Sequence, residues 1–165
     1  ASAEFRVLNP FGQIPVLIDG ETVLADSNGI MVYLVRRYAP ESGWLPETPE
    51  AAAAVQRWLS IAAGDIAFGP ARARAITQWR FDGDLGFAQR VAARLFAFME
   101  QHLADRSFLA ADCPTLADLA CCDYIAHAPE GGLSLDAYPN VRAWLGRVAA
   151  IPGFQPLPDP PPAGA

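Results

Sequence analysis

Two short apolar runs near the start of the chain predict a β-hairpin. They cover residues 14–18 and 22–25 and are joined by an Asp-Gly-Glu tripeptide. Asp-Gly between apolar runs is a strong hairpin signal, because glycine adopts a positive φ at little cost. Pro15 lies within the first run and has no N–H to donate to a sheet, which restricts that strand to an edge or a bend.

The rest of the pattern is helical. Apolar residues at helical spacing predict helices over about 27–39, 50–76, 85–103, from 115 onward and over 140–150. The helix over 85–103 is predicted to bury a face that includes Phe87 and Leu95. Three prolines and a glycine mark 40–49 as an interdomain linker, and the proline-rich segment 156–165 is a low-complexity tail.

Composition narrows the class of protein. The chain has 165 residues, of which 52% are hydrophobic and 18% charged, so it can bury a packed core. A net charge of -6 argues against nucleic acid as a partner. No apolar run is long enough to cross a membrane, and the first residues do not resemble a signal peptide. Three cysteines, two of them adjacent, suit a reducing compartment, so a cytoplasmic location is expected.

The first candidate site combines a proline turn with a helix start. Gln13, Ile14 and Pro15 are followed by Asp26 and Ser27, where the helix over 27–39 begins. A helix N-terminus attracts a carboxylate, and an acidic side chain attracts an ammonium group, so the pair suits the α-amino-acid end of a ligand. A cis bond before Pro15 would turn the Ile14 backbone outward, to pair with a peptide-like ligand. Alternatively, Asp26 or Ser27 is only an N-cap and Pro15 only marks an edge strand.

These stretches resemble one family. NPFGQIPVLIDG, followed by ADSNGIMVYL, resembles the glutathione-binding half of cytosolic glutathione S-transferases of the bacterial type. The T-L-A-D capping box at 115–118 and YPNVRAWLGRVAAIPGF resemble two helices of the same family's helical domain. The resemblance covers roughly residues 4–155.

The resemblance implies an α+β fold, in which part of a thioredoxin-like domain (a β-hairpin plus a helix) precedes an all-α helical-bundle domain. The expected domains are 1–39 for the glutathione-binding half, 40–49 for the linker, 50–155 for the helical domain and 156–165 for the tail. The family's first βαβ unit has no counterpart in this sequence. Its thiol-activating residue is therefore expected upstream of Ala1.

The resemblance also implies a role for each residue of the candidate site. The residue matching Ile14 pairs through its backbone with the cysteinyl unit of glutathione, and the proline matching Pro15 is cis. The pair matching Asp26 and Ser27 holds the γ-glutamyl end. Gln13 matches a position near the glycyl end.

The implied function is a glutathione S-transferase that joins the glutathione thiolate to a small electrophile. Glutathione would be a co-substrate, no metal is implied, and relatives are homodimers. Two alternatives stay open at this point. One is a glutathione-dependent disulfide reductase, peroxidase or isomerase on the same fold, and the other is a non-catalytic glutathione-binding or assembly module.

Further candidates lie in the helical half. Relatives build the second-substrate pocket from its first helix, which implies that Phe68, Arg72, Ile76 and Trp79 line that pocket, although their spacing suits a core stripe equally well. Asp65 lies on a helix that, in some relatives, supplies a polar side chain to the glutathione amine of the neighbouring subunit. The alternative for Asp65 is an ion pair with Arg72 or Arg57.

One carboxylate and two neighbouring thiols in the helical half are expected to be structural. Asp118 belongs to the capping box, which favours a structural role over a catalytic one. Cys121, Cys122 and His127 invite a metal interpretation. Adjacent residues on a helix point about 100° apart, so both thiols cannot face one ion, and buried structural cysteines are predicted.

Overall fold

The computed structural model describes residues 1–158, so most of the predicted proline-rich tail, from 159 to 165, lies outside the described residues. The strands are β1 (Val16–Asp19) and β2 (Thr22–Ala25). The α-helices are α1 (Ala3–Leu8), α2 (Ser27–Tyr38), α3 (Pro49–Ile61), α4 (Pro70–Trp79), α5 (Leu85–His102), α6 (Leu116–Ala126) and α7 (Pro139–Ala149). Short 3-10 turns cover Pro40–Ser42 and Ala128–Gly131, and a π-helical turn covers Ala62–Ile66.

The N-terminal unit is the predicted hairpin and helix. Strands β1 and β2 pair antiparallel, with Leu17 opposite Leu24, and α2 packs against both. The hairpin followed by a helical bundle confirms the expected fold class. Residues 3–8 form a helix that the sequence pattern did not predict. Its signals are short-range, because Ser2 accepts a hydrogen bond from the Phe5 N–H as the N-cap.

The core of the helical unit is aromatic and aliphatic. Its largest fully buried side chains include Trp58, Phe96, Met99 and Trp144, contributed by α3, α5 and α7. A second buried cluster contains Val35 of α2 together with residues of α3 and α6. This second cluster attaches the N-terminal unit to the bundle and fixes one side of the cleft described below. No helix within residues 1–158 combines the length and apolar character needed to cross a membrane.

The single helix predicted over 50–76 is wrong, because the chain breaks it at Gly69 and Pro70. Pro70 starts α4, where its missing N–H costs nothing. A Cβ on Gly69 would lie 2.5 Å from the carbonyl oxygen of Asp65 and 3.0 Å from the amide nitrogen of Ala92. The break therefore lets the backbone of this segment approach α5 closely.

The buried face of α5 is rotated from the predicted one. Leu95 is buried as expected, but Phe87 is 54% exposed. The helix instead buries Ala88, Ala92 and Met99 completely. Small residues face the close approach at Gly69, which leaves no room there for an aromatic ring.

The Asp118 carboxylate is structural, as predicted. It is fully buried and completes the capping box of α6 with Thr115. Its oxygens also accept hydrogen bonds from the Leu109 amide at 2.9 Å and from the Trp144 indole at 2.8 Å. The carboxylate thereby joins α6, α7 and the loop before α6.

Candidate functional site

An open cleft of about 750 Å³ separates the N-terminal unit from the helical bundle. One wall is formed by the loop before β1 and the start of α2, and the other by the segment from the π-helical turn through α4 and by α6. The lining residues are Gln13, Ile14, Asp26, Ser27, Asn28, Ala62, Ala63, Ala67, Ala71, Arg72, Ala75, Trp79, Phe81, Ala120 and Tyr124. Pro15 joins Gln13, Ile14, Asp26 and Ser27 in an adjoining hollow of about 430 Å³.

All five residues predicted to bind glutathione therefore lie together. They come from two segments that the hairpin folds against each other. Val16 pairs with Ala25 at the open end of the hairpin, so the residues before β1 and after β2 are neighbours. The hairpin register thus explains the juxtaposition.

A buried asparagine shapes the loop before β1. The side-chain amide of Asn9 donates to the Gln13 carbonyl at 2.7 Å, and its oxygen accepts from the Phe11 N–H at 3.1 Å. The Gly12 N–H donates to the Asn9 carbonyl at 2.8 Å, and Gly12 has a φ of 67°, which favours glycine. Asn9 was not singled out from the sequence, although Asn-Pro is a recognised turn dipeptide.

Ile14 presents its backbone to the cleft. The Ile14–Pro15 peptide bond is cis, as the resemblance implies, and Ile14 is 84% exposed. Within residues 1–158, neither its N–H nor its C=O has a hydrogen-bond partner in the chain. This backbone is therefore free to pair with an extended ligand.

The start of α2 offers unpaired donors on the same side. Asp26, not Ser27, is the N-cap, and its carboxylate accepts from the Gly29 N–H at 2.9 Å. Asp26 has a φ of 77°, a backbone conformation that residues other than glycine rarely adopt. Residues in such conformations cluster at functional sites. In the described structure the amides of Ser27 and Asn28 and the Ser27 hydroxyl have no acceptor. These donors and the positive end of the helix dipole favour a carboxylate.

Asn28 fixes this helix start to the bundle. Its side-chain amide donates to the carbonyl of Leu59 on α3 at 3.0 Å. The contact ties one wall of the cleft to α3, which continues directly into the π-helical turn of the other wall. Sequence reasoning did not identify Asn28, because nothing local indicates which helix it reaches.

The bundle wall is mostly alanine, with aromatic side chains at its outer end. Trp79, Phe81 and Tyr124 are between 42% and 56% exposed. Arg72 also lines this wall, and its guanidinium donates to the Asp82 carbonyl. Tyr124 was missed from the sequence, although it follows Ala120 by four residues on one face of α6.

Two of the four residues predicted for the second-substrate pocket do not line the cleft. Phe68 is 63% exposed outside it. Ile76 is partly buried, and its Cδ1 lies 3.0 Å from where a Cβ on Gly83 would be. The other two, Arg72 and Trp79, line the cleft.

Asp65 lies away from the cleft. Its carboxylate pairs with the guanidinium of Arg94 on α5 at 2.6 Å. Asp65 thus forms an ion pair, as the alternative predicted, but the predicted partners, Arg57 and Arg72, are wrong. The pair borders a separate hollow of about 330 Å³ between α3 and α5.

The cysteines next to the cleft are buried, as predicted. Burial raises the pKa of the Cys121 thiol well above its ordinary value and raises that of Cys122 to about 12. Both thiols therefore stay protonated and unreactive at neutral pH. His127 contacts Glu130 instead of the thiols. Within residues 1–158, no three His, Cys, Asp or Glu side chains are grouped to hold a metal ion.

Family models match both parts of the chain. The model described as "Glutathione S-transferase, N-terminal domain" matches residues 1–37, and "Glutathione S-transferase, C-terminal domain" matches residues 88–152. Among curated proteins, "Glutathione S-transferase 3" of Zea mays is 35% identical, over 98% of this chain and 80% of its own length. "Glutathione S-transferase theta-2B" of Homo sapiens is 29% identical, over 93% of this chain and 67% of its own length.

Solved structures agree with the sequence relatives. The crystal structure of a glutathione S-transferase from Xanthobacter autotrophicus superposes with a TM-score of 0.87 at 34% identity, covering 95% of this chain and 78% of that one. The theta-class glutathione S-transferase from Xanthomonas axonopodis, solved with glutathione bound, superposes with a TM-score of 0.79 at 27% identity. That match covers 92% of this chain and 74% of the other.

Proposed function

The chain belongs to the glutathione S-transferase family, and from that premise we propose that it binds glutathione in the cleft and joins the glutathione sulfur to a small electrophile. The observation that carries the proposal is the meeting, at one end of the cleft, of the unpaired Ile14 backbone and the donor-rich start of α2. A tripeptide with a zwitterionic γ-glutamyl end and an internal peptide bond needs both features.

We assign the γ-glutamyl end to the start of α2. Its carboxylate would accept from the Ser27 hydroxyl and from the amides of Ser27 and Asn28. Its ammonium group would pair with the Asp26 carboxylate, which keeps one oxygen bound to the Gly29 N–H. Among residues 1–158, Asp26 is the only carboxylate that lines the cleft, so the position of the ammonium group follows from charge.

The cysteinyl unit would then lie against Ile14. From the start of α2, an extended ligand runs towards the loop before β1, where the Ile14 N–H and C=O can pair with its backbone. Gln13 follows on the same loop and suits the glycyl end. In this orientation the thiol faces the bundle wall, where the electrophile binds.

The electrophile would lie against the aromatic end of the bundle wall. Arg72 and Trp79 are retained there from the sequence prediction, and Phe81 and Tyr124 take the places expected of Phe68 and Ile76. Attack by the thiolate forms the new carbon–sulfur bond, and the electrophile's leaving group departs with the electron pair. A lower thiol pKa raises the thiolate fraction at neutral pH, and only the thiolate attacks.

The family relationship favours conjugation over the reductase, peroxidase, isomerase and non-catalytic alternatives, because the matched relatives carry transferase names. It also supports a homodimer in the cytoplasm, and light scattering tests the oligomeric state. The contact of Asp65 across such a dimer stays a proposal. In a single chain its partner is Arg94.

Calorimetric titration with three ligands tests the proposal. Glutathione and its thiol-free analogue γ-glutamyl-alanyl-glycine should bind with similar affinity, whereas glutathione acetylated on its α-amine should bind at least tenfold more weakly. In Asp26→Asn, which keeps an N-cap acceptor, the preference for the free amine should disappear. Equal binding of the free and acetylated ligands by the unsubstituted chain would contradict the assignment of Asp26. Absence of glutathione binding would overturn the proposed function.

A further inference from the structure

A buried arginine lies directly behind the aromatic end of the cleft. Arg74 is on α4 and is 4% exposed, and its Nε lies 2.6 Å from Oε2 of Glu130. A buried guanidinium is costly unless it is paired, so this ion pair is a built feature of the fold. None of the roles assigned above uses it.

Glu130 is itself held in place from several sides. Its other carboxylate oxygen lies 2.6 Å from Nδ1 of His127, and its backbone carbonyl accepts from the Gln78 side chain at 2.9 Å. A Cβ on Gly131 would lie 2.9 Å from the amide nitrogen of Arg74, so this turn is pressed against α4. Burial acts to raise the pKa of Glu130, but hydrogen bonds from Arg74 and His127 lower it, so the carboxylate stays charged beside the arginine.

The guanidinium of Arg74 also meets a cleft side chain. Its central carbon lies 4.8 Å from the centre of the Trp79 ring. Trp79 is the last residue of α4, is 48% exposed and lines the cleft. Its indole N–H donates to no acceptor within residues 1–158. The guanidinium therefore lies over this ring at the C-terminal end of its helix, where a cation–π contact restrains the indole.

We propose that Arg74, clamped by Glu130, is a positioning residue that holds Trp79 as a flat wall for the aryl group of an electrophile. Arg74 touches neither substrate in this arrangement and acts only through the indole. A fixed ring has already lost its rotamer freedom, so an aryl group that stacks on it does not have to order it. The inference rests on the proposed function, since it assigns the electrophile to this end of the cleft.

The test is a ratio of two dissociation constants for the full chain. Calorimetry gives Kd for glutathione and for S-(2,4-dinitrophenyl)glutathione. Kd for glutathione divided by Kd for the conjugate reports the contribution of the aryl group alone. Arg74→Met should lower the ratio about three- to tenfold, with Kd for glutathione unchanged. Trp79→Leu, at a half-exposed position, should lower it by a similar factor.

The double variant separates positioning from general loosening. If Arg74 acts through Trp79, adding Arg74→Met to Trp79→Leu causes no further fall in the ratio. Arg74→Lys, which keeps the charge, should recover part of the ratio. Arg147→Met is the matched control, because Arg147 is also bound through Nε, to the Ser107 carbonyl at 2.7 Å, but lies on α7 away from the cleft. Its ratio should equal that of the unsubstituted chain.

Two results would overturn the inference while leaving the proposed function intact. One is an unchanged ratio in Arg74→Met, and the other is a further fall when Arg74→Met is added to Trp79→Leu. If Arg74→Met does not fold, Trp79→Leu still tests the inference. An unchanged ratio in Trp79→Leu would show that the indole is not a wall for the aryl group, and would overturn the inference. Failure of the unsubstituted chain to bind glutathione would instead overturn the proposed function.

Discussion

Replacing Ser27 with alanine separates ligand binding from helix capping. In the structure Asp26 supplies the cap, and the exposed Ser27 hydroxyl has no acceptor within residues 1–158. The substitution removes no intramolecular hydrogen bond and places a better helix former at the first helical position. We expect the free energy of unfolding to change by no more than about 0.5 kcal/mol.

The affinity for glutathione should change much more. A hydrogen bond to a charged group contributes about 1.5–3 kcal/mol. The amides of Ser27 and Asn28 remain in the variant and can still donate to the γ-glutamyl carboxylate of glutathione. We therefore expect the lower end of that range. This corresponds to a roughly tenfold rise in Kd. Calorimetry gives Kd, and urea unfolding followed by circular dichroism gives the stability.

Ser107→Ala is the matched control, because Ser107 is also exposed and its hydroxyl has no partner in the described structure. It lies outside the cleft, so neither Kd nor stability should change. A loss of about 1 kcal/mol of stability in Ser27→Ala with unchanged Kd would show that Ser27 is only a helix-capping residue, and would refute the assignment.

Three further predictions concern the framework of the site. Asp118→Ala leaves several buried donors without an acceptor and should cost at least about 3 kcal/mol in urea unfolding; a loss below 1 kcal/mol would contradict the network. The pKa of Glu130 is lowered, so its ion pair with Arg74 stabilises the fold in full at pH values above the ordinary pKa of 4.5. That contribution is lost as the pH falls through the lowered pKa. Glu130→Gln should therefore be less stable at pH 7 and flatten the acid limb of the stability profile, whereas an unchanged profile would argue against a linked pair. Gly69→Ala should destabilise by about 1–3 kcal/mol because its Cβ meets backbone atoms, while Gly64→Ala, which meets nothing within 4 Å, should be neutral or stabilising in thermal unfolding.

The predictions that held depend on short stretches of chain. The Asp-Gly turn, the helix starting at Ser27 and the capping box at 115–118 are specified by residues within four positions of each other. Turn and capping preferences act between such neighbours, so the sequence states them directly. The five residues of the candidate glutathione site were found in the same way, since the hairpin that joins them is itself local.

The features that were missed depend on contacts between distant residues. Spacing alone allowed one helix over 50–76; the Gly69-Pro70 dipeptide is a local break signal that this prediction passed over, and the approach to Ala92 shows why the chain needs a glycine there. The partner of Asp65 was wrong because two candidate arginines lay nearer in sequence than Arg94. The same spacing was consistent with Ile76 on the cleft or in the core.

The sequence by itself thus determined the family, the hairpin and the start of α2 that lines the cleft. The tertiary structure decided which side chains form the opposite wall and which ion pair stands behind it. Local preferences depend on a few neighbouring residues, whereas burial and pairing depend on how whole helices pack. A periodic pattern limits that packing to a few solutions, and side-chain volumes and buried charges at distant positions select among them.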